Sequence, residues 1–267
     1  MRKRISCLVL CLVLMCSMGV TAFAAETPDS TATVVVDGVT MENFFAEGYD
    51  RTTYVSLYGM TLALRPDAAV TWEDNQMVAR ASDFTMSARV GASYMVVNGR
   101  YLYIPDGVKK DEAGDTLVPT RTIATALGAT VAWDKDLGVV FTGGGTPLLS
   151  GDEFYNATDL DLISRVIQHE SGNQPLAGKI GVANVIINRT TARGFEDSIS
   201  EVIYEKNQFP GATNANPSAE SVIAAKLALD GAVTVPGALY FNGAGKDCWA
   251  ARNKTLIAVI GGHAFYG

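Results

Sequence analysis

Apolar residues recur at helical spacing between Leu160 and Ser171. Ile163, Val166 and Ile167 lie on one face of the helix that this spacing predicts, and Glu170 falls on the same face. Acidic side chains are rarely buried fully unless they are paired. The pattern therefore favours a carboxyl with a special role over the plainer interpretation of a solvated glutamate at a frayed helix end.

Local signals set the ends of this predicted helix. Thr158 and Asp161 resemble a capping box at its start, and the SGNQP run at 171–175 predicts its end. Glu170 would then lie in the last turn, where the helix dipole is negative and an apolar surround also disfavours charge. Both effects predict a raised pKa for the Glu170 carboxyl. A carboxylic acid that stays neutral near neutral pH can protonate a glycosidic oxygen.

The segment from Ala177 to Ile187 is apolar nearly all round, which predicts the buried central helix of a compact domain. Asn184 and Asn188, four residues apart, are the amide side chains on or directly after this segment, before Arg189. Because buried amides must find hydrogen-bond partners, these two either satisfy buried backbone groups or line a groove.

Further helices and then strands are predicted toward the C terminus. Ser198 and Glu201 form a capping box, and Asn216-Pro217 predicts a cap and first-turn proline for a helix through Asp230. The period then changes, and strands of a small antiparallel sheet are predicted at 238–241, 255–260 and 263–266. This domain is therefore predicted to be α+β with helices dominant.

The N-terminal part of the chain has a different pattern, in which short β-prone runs alternate with turn signals. An Asn-Gly turn within 96–101 predicts a two-residue hairpin. There is also an internal repeat: the segment from Thr53 aligns with the segment from Thr116, each with a strand end, a short helix and a strand carrying a tryptophan, Trp72 or Trp133. An α+β module built from this repeat is the predicted fold.

Residues 1–24 have the three-part form of a secretory signal peptide, with cleavage near Ala24. The apolar run of this segment is too short for a convincing membrane span. No stable membrane span is expected in the chain that remains after the signal peptide is removed. Of the four cysteines, Cys248 alone would remain, which leaves no intrachain disulfide. The predicted organisation is a signal peptide at 1–24, an N-terminal module at 25–145, a linker at 146–158 and a C-terminal domain at 159–267.

The net charge of the chain is negative, which bears on the kind of partner it can bind. The formal charge of the whole chain is −7, and signal removal takes away three of the 21 basic residues and none of the 28 acidic ones. Binding to nucleic acid needs a basic surface, so nucleic acid is not expected as a partner.

The run RVIQHESGNQPLAGKIGVANVIINR resembles the signature of the spore cortex-lytic and cell wall hydrolase family. The similarity continues through the Gln208-Phe209 pair, the ALYFNG run at 238–243, Trp249 and the IGGHAFYG ending at 260–267, so it covers about Asp159 to the C terminus. The resemblance implies a lysozyme-like catalytic domain in which Glu170 is the catalytic residue.

The N-terminal module resembles the copper amine oxidase N-terminal-like domain, a small α+β unit of exported bacterial proteins. The name does not imply a cofactor here, because both histidines, His169 and His263, lie outside this module. No cofactor or metal is expected, and the module is interpreted as a spacer or a wall-binding unit.

Members of the cell wall hydrolase family are thought to act as lytic transglycosylases, where one glutamate serves as acid and then as base while the 6-hydroxyl of the sugar attacks. The resemblance therefore implies cleavage of peptidoglycan between N-acetylmuramic acid and N-acetylglucosamine, in the spore cortex during germination or in the vegetative wall. An activating protein partner is a further expectation, and the protein is expected to be secreted to the cell wall or spore envelope. The residues predicted to bind the glycan strand are Asn188, Gln208, Phe209, Tyr240, Asn242, Trp249 and His263.

Three other interpretations were weighed. A helical zinc peptidase motif built on His169-Glu170 needs a second histidine at 173, where the chain has Asn. A cysteine peptidase could pair Cys248 with His263. A non-catalytic wall-binding protein would leave an unused buried carboxyl at Glu170, which costs stability.

Overall fold

The computed structural model describes residues 27–267, and the predicted signal peptide therefore lies outside the described residues. The described chain has two separate hydrophobic cores, one formed by residues between Val34 and Phe141 and the other by residues between Leu162 and Phe265. The mixture of sheets and helices confirms the predicted α+β class. None of the helices between residues 27 and 267 has the length and hydrophobicity that crossing a membrane requires.

The N-terminal module consists of three small sheets and two short helices. The helices are α1 (Leu57–Leu64) and α2 (Thr120–Leu127). The strands are β1 (Ser30–Ala32), β2 (Val34–Val36), β3 (Val39–Thr40), β4 (Ala46–Tyr49), β5 (Thr52–Ser56), β6 (Ala69–Glu73), β7 (Gln76–Arg80), β8 (Thr85–Ala88), β9 (Tyr94–Val97), β10 (Arg100–Tyr103), β11 (Lys109–Lys110), β12 (Thr116–Pro119), β13 (Thr130–Asp134) and β14 (Gly138–Thr142). The sheet orders are β1-β4-β5-β12-β11, β10-β9-β8-β7-β6 and β13-β14-β2-β3.

The internal repeat appears as two strand-helix-strand units, β5-α1-β6 and β12-α2-β13. The leading strands of the two units pair antiparallel, and Val55 lies opposite Val118, its own counterpart in the repeat. A local two-fold relation therefore passes between these two residues, and the central sheet joins the two copies.

The predicted Asn-Gly hairpin is confirmed. β9 and β10 pair antiparallel around Asn98 and Gly99, whose φ angles are 49° and 78°. Positive φ at both central residues defines the turn class whose twist matches the flanking strands, and this sequence favours it.

The C-terminal domain is dominated by helices. They are α3 (Gly151–Phe154), α4 (Ala157–Ser171), α5 (Leu176–Arg189), α6 (Ile199–Tyr204), α7 (Ala219–Leu229) and α8 (Trp249–Asn253), with a 3-10 turn at Ala212–Asn214. The strands β15 (Tyr240–Gly243), β16 (Leu256–Ile260) and β17 (His263–Tyr266) form the predicted small antiparallel sheet in the order β15-β17-β16. Short α3 lies within the stretch that was predicted as linker.

Two helix starts differ from the sequence prediction. The N-cap of α4 is Asn156, whose side chain accepts from the backbone N–H groups of Thr158 and Asp159, so the predicted Thr158 cap is wrong. The N-cap of α7 is Ser218, so this helix begins after the Asn216-Pro217 pair instead of at it. In both cases an alternative capping side chain nearby defines the first turn, because several polar residues near a helix start compete for the same backbone donors.

Helix α5 is the predicted central helix, and nearly all of its residues are buried. A Cβ on Gly181 would lie 2.8 Å from the ring of Phe265, so glycine lets β17 pack directly on this helix. Asn184 donates to the Ala232 carbonyl and accepts from the Thr234 N–H. The Asn188 side chain donates to the Ala238 carbonyl. The two amides thus fasten the loop before β15 to α5.

The two parts of the chain are joined by a buried ionic contact. The Asp230 carboxylate, 1% exposed, accepts hydrogen bonds from the Arg100 guanidinium at 2.7 and 2.5 Å, from the Tyr101 N–H at 3.0 Å and from the Tyr155 hydroxyl. Burial and this carboxylate together raise the pKa of Tyr155. The Arg100 guanidinium also stacks 3.3 Å from the centre of the Phe154 ring. This contact docks β10 of the N-terminal module against the end of α7.

Candidate active site

Glu170 lies in the last turn of α4, at the edge of a cleft in the C-terminal domain. Its side chain is 26% exposed, and the imidazole of His169 lies 3.9 Å away. Burial raises the pKa of the Glu170 carboxyl above its ordinary value, while the neighbouring His169 acts in the opposite direction. The predicted direction of this pKa shift is confirmed, because the apolar face of α4 brings the carboxyl partly out of water.

The cleft has a volume of about 520 Å³. The end of α4, the end of α5, the loop before the 3-10 turn, β15, α8 and β17 contribute to its walls. Its lining residues are Glu170, Arg189, Gln208, Phe209, Tyr240, Phe241, Asn242, Gly243, Lys246, Cys248, Trp249, Ala250 and His263.

Seven of the eight predicted site residues line this cleft: Glu170, Gln208, Phe209, Tyr240, Asn242, Trp249 and His263. Asn188 is not among the lining residues, because its amide holds the Ala238 backbone. The geometry thus brings most of the predicted set together, and the roles of the individual residues stay predictions.

The aromatic residues of the cleft differ in exposure. Trp249 is 58% exposed, and its ring meets the ring of Tyr240 edge-on, with 5.5 Å between the two ring centres. Phe209 is 6% exposed and stacks on Phe241, which makes it chiefly a core residue. Because aromatic faces suit the apolar faces of sugar rings, the Trp249–Tyr240 pair is the better candidate for a stacking surface.

Arg189, which sequence reasoning did not include in the site, organises the cleft floor. Its Nε donates to the Leu239 carbonyl at 2.8 Å and its Nη1 donates to Gln208 Oε1 at 2.8 Å. Burial lowers the pKa of its guanidinium, and the nearby Glu205 acts in the opposite direction. Since the Gln208 oxygen is occupied by Arg189, the amide nitrogen of Gln208 is the group free to donate to a ligand.

The signal for Arg189 was present in the sequence. It is the charged residue that closes a mostly apolar helix, and charged side chains are rarely buried unless they are paired. Lys246 also lines the cleft, but it lies in a loop and no periodicity points to it.

His263 and Cys248 share the cleft with Glu170. Burial lowers the pKa of His263, and its Nδ1 is buried with no hydrogen-bond partner among the described residues. Its Nδ1 is therefore shielded from solvent, while the imidazole as a whole still lines the cleft. Cys248 is the N-cap of α8, and its Sγ accepts from the Ala251 N–H at 3.4 Å.

Glu170 is the one carboxyl among the described residues that line the cleft. Glu205 lies close enough to Arg189 to influence its charge, and one of its oxygens is buried without a partner among the described residues. Between residues 27 and 267, no group of three or more His, Cys, Asp or Glu side chains is placed to hold a metal ion. The residues of the N-terminal module therefore do not fit a copper site.

Comparison with known proteins gives a family match for each part of the chain. Residues 173–266 match the Cell Wall Hydrolase family, and residues 35–142 match the Copper amine oxidase N-terminal domain family. Both resemblances seen in the sequence are therefore confirmed, the first over residues 173–266 and the second over residues 35–142. Glu170 lies three residues before the range 173–266 that matches the Cell Wall Hydrolase family.

The particular relatives are spore enzymes. The spore cortex-lytic enzyme of Oceanobacillus iheyensis is 29% identical over 127 residues, which cover 46% of this chain and 46% of the relative. That of Bacillus cereus is 29% identical over 119 residues, covering 42% of this chain and 45% of the relative. Among solved structures, the catalytic domain of the germination-specific lytic transglycosylase SleB from Bacillus anthracis is 26% identical, with 45% of this chain and 100% of that chain covered and a TM-score of 0.40. The chain spans less than half the length of these curated relatives.

Proposed function

We propose that this protein is an exported peptidoglycan-degrading enzyme that cleaves the glycan strand between N-acetylmuramic acid and N-acetylglucosamine as a lytic transglycosylase. The observation that carries the proposal is the Glu170 carboxyl, half-buried at the edge of a large cleft with its pKa raised by burial. The matched cell wall hydrolase domain and the names of the curated relatives support the substrate class.

The proposed reaction uses Glu170 twice. In its protonated form the carboxyl donates a proton to the glycosidic oxygen, and the bond between that oxygen and C1 of the muramoyl residue breaks. The resulting carboxylate then takes the proton of the muramoyl 6-hydroxyl while its oxygen bonds to C1. No water is consumed, and the products are a 1,6-anhydro end and a free 4-hydroxyl.

The lining supports a reaction with a single carboxyl. A glycosidase with two carboxyls needs the second one at a defined distance across the scissile bond. Glu170 has no carboxyl opposite it among the described lining residues. Glu205, which influences the charge of the cleft residue Arg189 without lining the cleft itself, is the alternative candidate for a second acid.

The remaining lining residues are proposed to hold the glycan. Trp249 and Tyr240 would stack on sugar rings, and the amides of Gln208 and Asn242 would bond hydroxyl or acetamido groups. The imidazole of His263, which lines the cleft, would make a further hydrogen bond. Binding on several subsites before reaction would position the scissile bond against Glu170.

The biological setting is also a proposal. The curated relatives are named as spore cortex-lytic enzymes, which supports action on the spore cortex during germination and a location in the spore envelope or cell wall. Export by the signal peptide at 1–24, the linker at 146–158 and the need for an activating partner belong to the same proposal.

The test is mass spectrometry of the fragments released from purified peptidoglycan, including cortex material. The purified protein is expected to release fragments with anhydromuramyl ends, and Glu170→Gln is expected to lose release by at least about a thousandfold. Glu196→Gln, which changes an exposed acid in the loop before α6, is the matched control and should keep full activity. Reducing ends in place of anhydro ends would refute the transglycosylase step and make Glu205→Gln the next variant.

A cysteine peptidase is the second candidate, because Cys248 and His263 line the same cleft. This function predicts cut stem peptides with intact glycan strands. Release of anhydromuramyl fragments by a Cys248→Ser variant would exclude it, and absence of any release by the wild type would favour a non-catalytic wall-binding protein.

A further inference from the structure

A second cleft lies on the N-terminal module, away from Glu170. It is bounded by the start of β5, the first turn of α2 and the outer face of β13, and its volume is about 230 Å³. Arg51, Thr53, Thr120, Arg121 and Trp133 are among its lining residues, and no acidic side chain of the described chain lines it. It is therefore a small basic cleft with one large aromatic face.

Trp133 is unusually exposed for its residue type. Tryptophan normally buries most of its large surface, yet Trp133 is 67% exposed. The chain has three tryptophans, and all three are more than half exposed, including Trp249 in the cleft of Glu170. The exposed indole of Trp133 lines the cleft and is therefore accessible to a ligand there.

The two arginines of this cleft are available for a ligand. Elsewhere in the module, Arg65 and Arg80 hold carboxylates at 2.7 Å. Arg51 and Arg121 are both exposed, and within residues 27–267 neither has a hydrogen-bond or ion-pair partner. The chain as a whole has 28 acidic and 21 basic residues, so unpaired arginines that share one cleft are free to bind an external anion.

The internal repeat provides a comparison inside the same fold. When the alignment of the two copies is extended, Arg51 corresponds to Gly114 and Tyr58 to Arg121, and with two extra residues allowed before Trp72 this tryptophan corresponds to Trp133. Each copy thus folds in the same way without the arginine that the other copy carries. The fold does not require the two arginines, which indicates that they serve a ligand.

From these observations we infer that the basic cleft binds an acidic glycan, with a sugar ring on the face of Trp133 and an acid group on Arg51 and Arg121. Guanidinium groups bind carboxylates and phosphates with two parallel hydrogen bonds, and the indole ring suits the apolar face of a sugar. The acid group has two sources in a cell wall: carboxylates of peptidoglycan itself, or phosphates of a polymer attached to it. The N-terminal module is then the part of the protein that holds it on the wall.

The test is co-sedimentation of the full chain with insoluble cell walls. All proteins carry Glu170→Gln so that the wall is not digested, and binding is read without any catalytic step. Trp133→Ala and the double variant Arg51→Gln/Arg121→Gln are each expected to weaken binding at least about tenfold. Trp72→Ala, the equivalent exposed tryptophan of the other repeat, is expected to bind within about twofold of the parent. Unchanged binding by Trp133→Ala, or an equal loss with Trp72→Ala, would overturn the proposal.

A charge control separates a specific site from general attraction. Lys135→Gln/Arg193→Gln removes the same amount of charge from exposed positions outside the cleft and should bind as the parent does. Walls treated with hydrofluoric acid lack phosphate polymers, so loss of binding on treated walls identifies phosphate as the acid group and retained binding identifies carboxylate. Binding to neutral chitin beads that is as strong as binding to walls would show that no acid group is recognised and would also overturn the proposal.

Discussion

The Asp230→Asn substitution tests how strongly the N-terminal module is docked. The carboxylate of Asp230 is 1% exposed and the Arg100 side chain is 12% exposed, so the pair is almost out of water. Arg100 donates to one oxygen of the Asp230 carboxylate, and the Tyr101 N–H and the Tyr155 hydroxyl donate to the other. The side-chain oxygen of asparagine can still accept from the Tyr101 N–H and the Tyr155 hydroxyl. The loss is therefore the negative charge beneath Arg100.

The magnitude follows from that uncompensated guanidinium. Removal of one member of a buried ion pair costs about 3–5 kcal/mol, because the remaining charge is held away from water without a partner. Asp230→Asn is expected to lower the free energy of unfolding by this amount in urea titrations followed by far-ultraviolet circular dichroism. Arg100→Met/Asp230→Asn removes the stranded charge and is expected to be more stable than Asp230→Asn alone.

Glu73→Gln is the control for this experiment. It also breaks a two-hydrogen-bond contact with an arginine, Arg80, but the two side chains are 40% and 49% exposed. Solvent screens this pair, so the variant should unfold at the same urea concentration as the wild type. An Asp230→Asn variant that loses less than about 1 kcal/mol, or a double variant less stable than the single one, would refute the assignment of a buried ionic dock.

The remaining predictions concern the cleft of Glu170. Because burial raises the pKa of Glu170, its protonated form carries both activity and native-state stability at low pH, and both decline as pH rises through that raised pKa. Glu170→Gln should therefore gain melting temperature over the wild type as pH increases toward 7 and lose this advantage near pH 4, as measured by differential scanning calorimetry. Arg189→Met should reduce fragment release about tenfold or more. Adding Gln208→Ala to this variant should reduce release little further, because both changes disable the same hydrogen-bonded pair. Additive losses would contradict this prediction. Cys248→Ser keeps an acceptor at the N-cap of α8 and should release glycan fragments within about twofold of the wild type.

The elements predicted from the sequence are those with a strong local signal. Helix α5 is apolar over most of its surface, and the Asn98-Gly99 turn has positive φ at both residues. Each of these signals lies within one element, so no tertiary information was needed to read it. The first turn of α7 was misplaced because Asn216 and Ser218 are both good caps, and only the folded backbone selects between them.

The cleft shows where sequence reasoning fails. Its predicted aromatic and amide residues lie in runs that resemble a known family, whereas Lys246 sits in a loop without a pattern. Arg189 closes a helix whose periodicity favours burial, and its hydrogen bond to the predicted residue Gln208 forms only when the loop after α6 folds back. The contact between Arg100 and Asp230 joins residues 130 positions apart, and no local signal predicts such a pair.

The buried contact between β10 and α7 has a kinetic consequence on an insoluble substrate. A catalytic domain on a flexible linker can reach many bonds while its anchoring domain stays bound, because the linker lets it sample a large volume around the anchor. Here Asp230 and Arg100 hold the two parts in one orientation, so a protein anchored through the basic cleft reaches a fixed set of bonds. Such an enzyme must release its anchor before it can cut elsewhere, and the residence time of the anchor would then limit how fast it clears a wall.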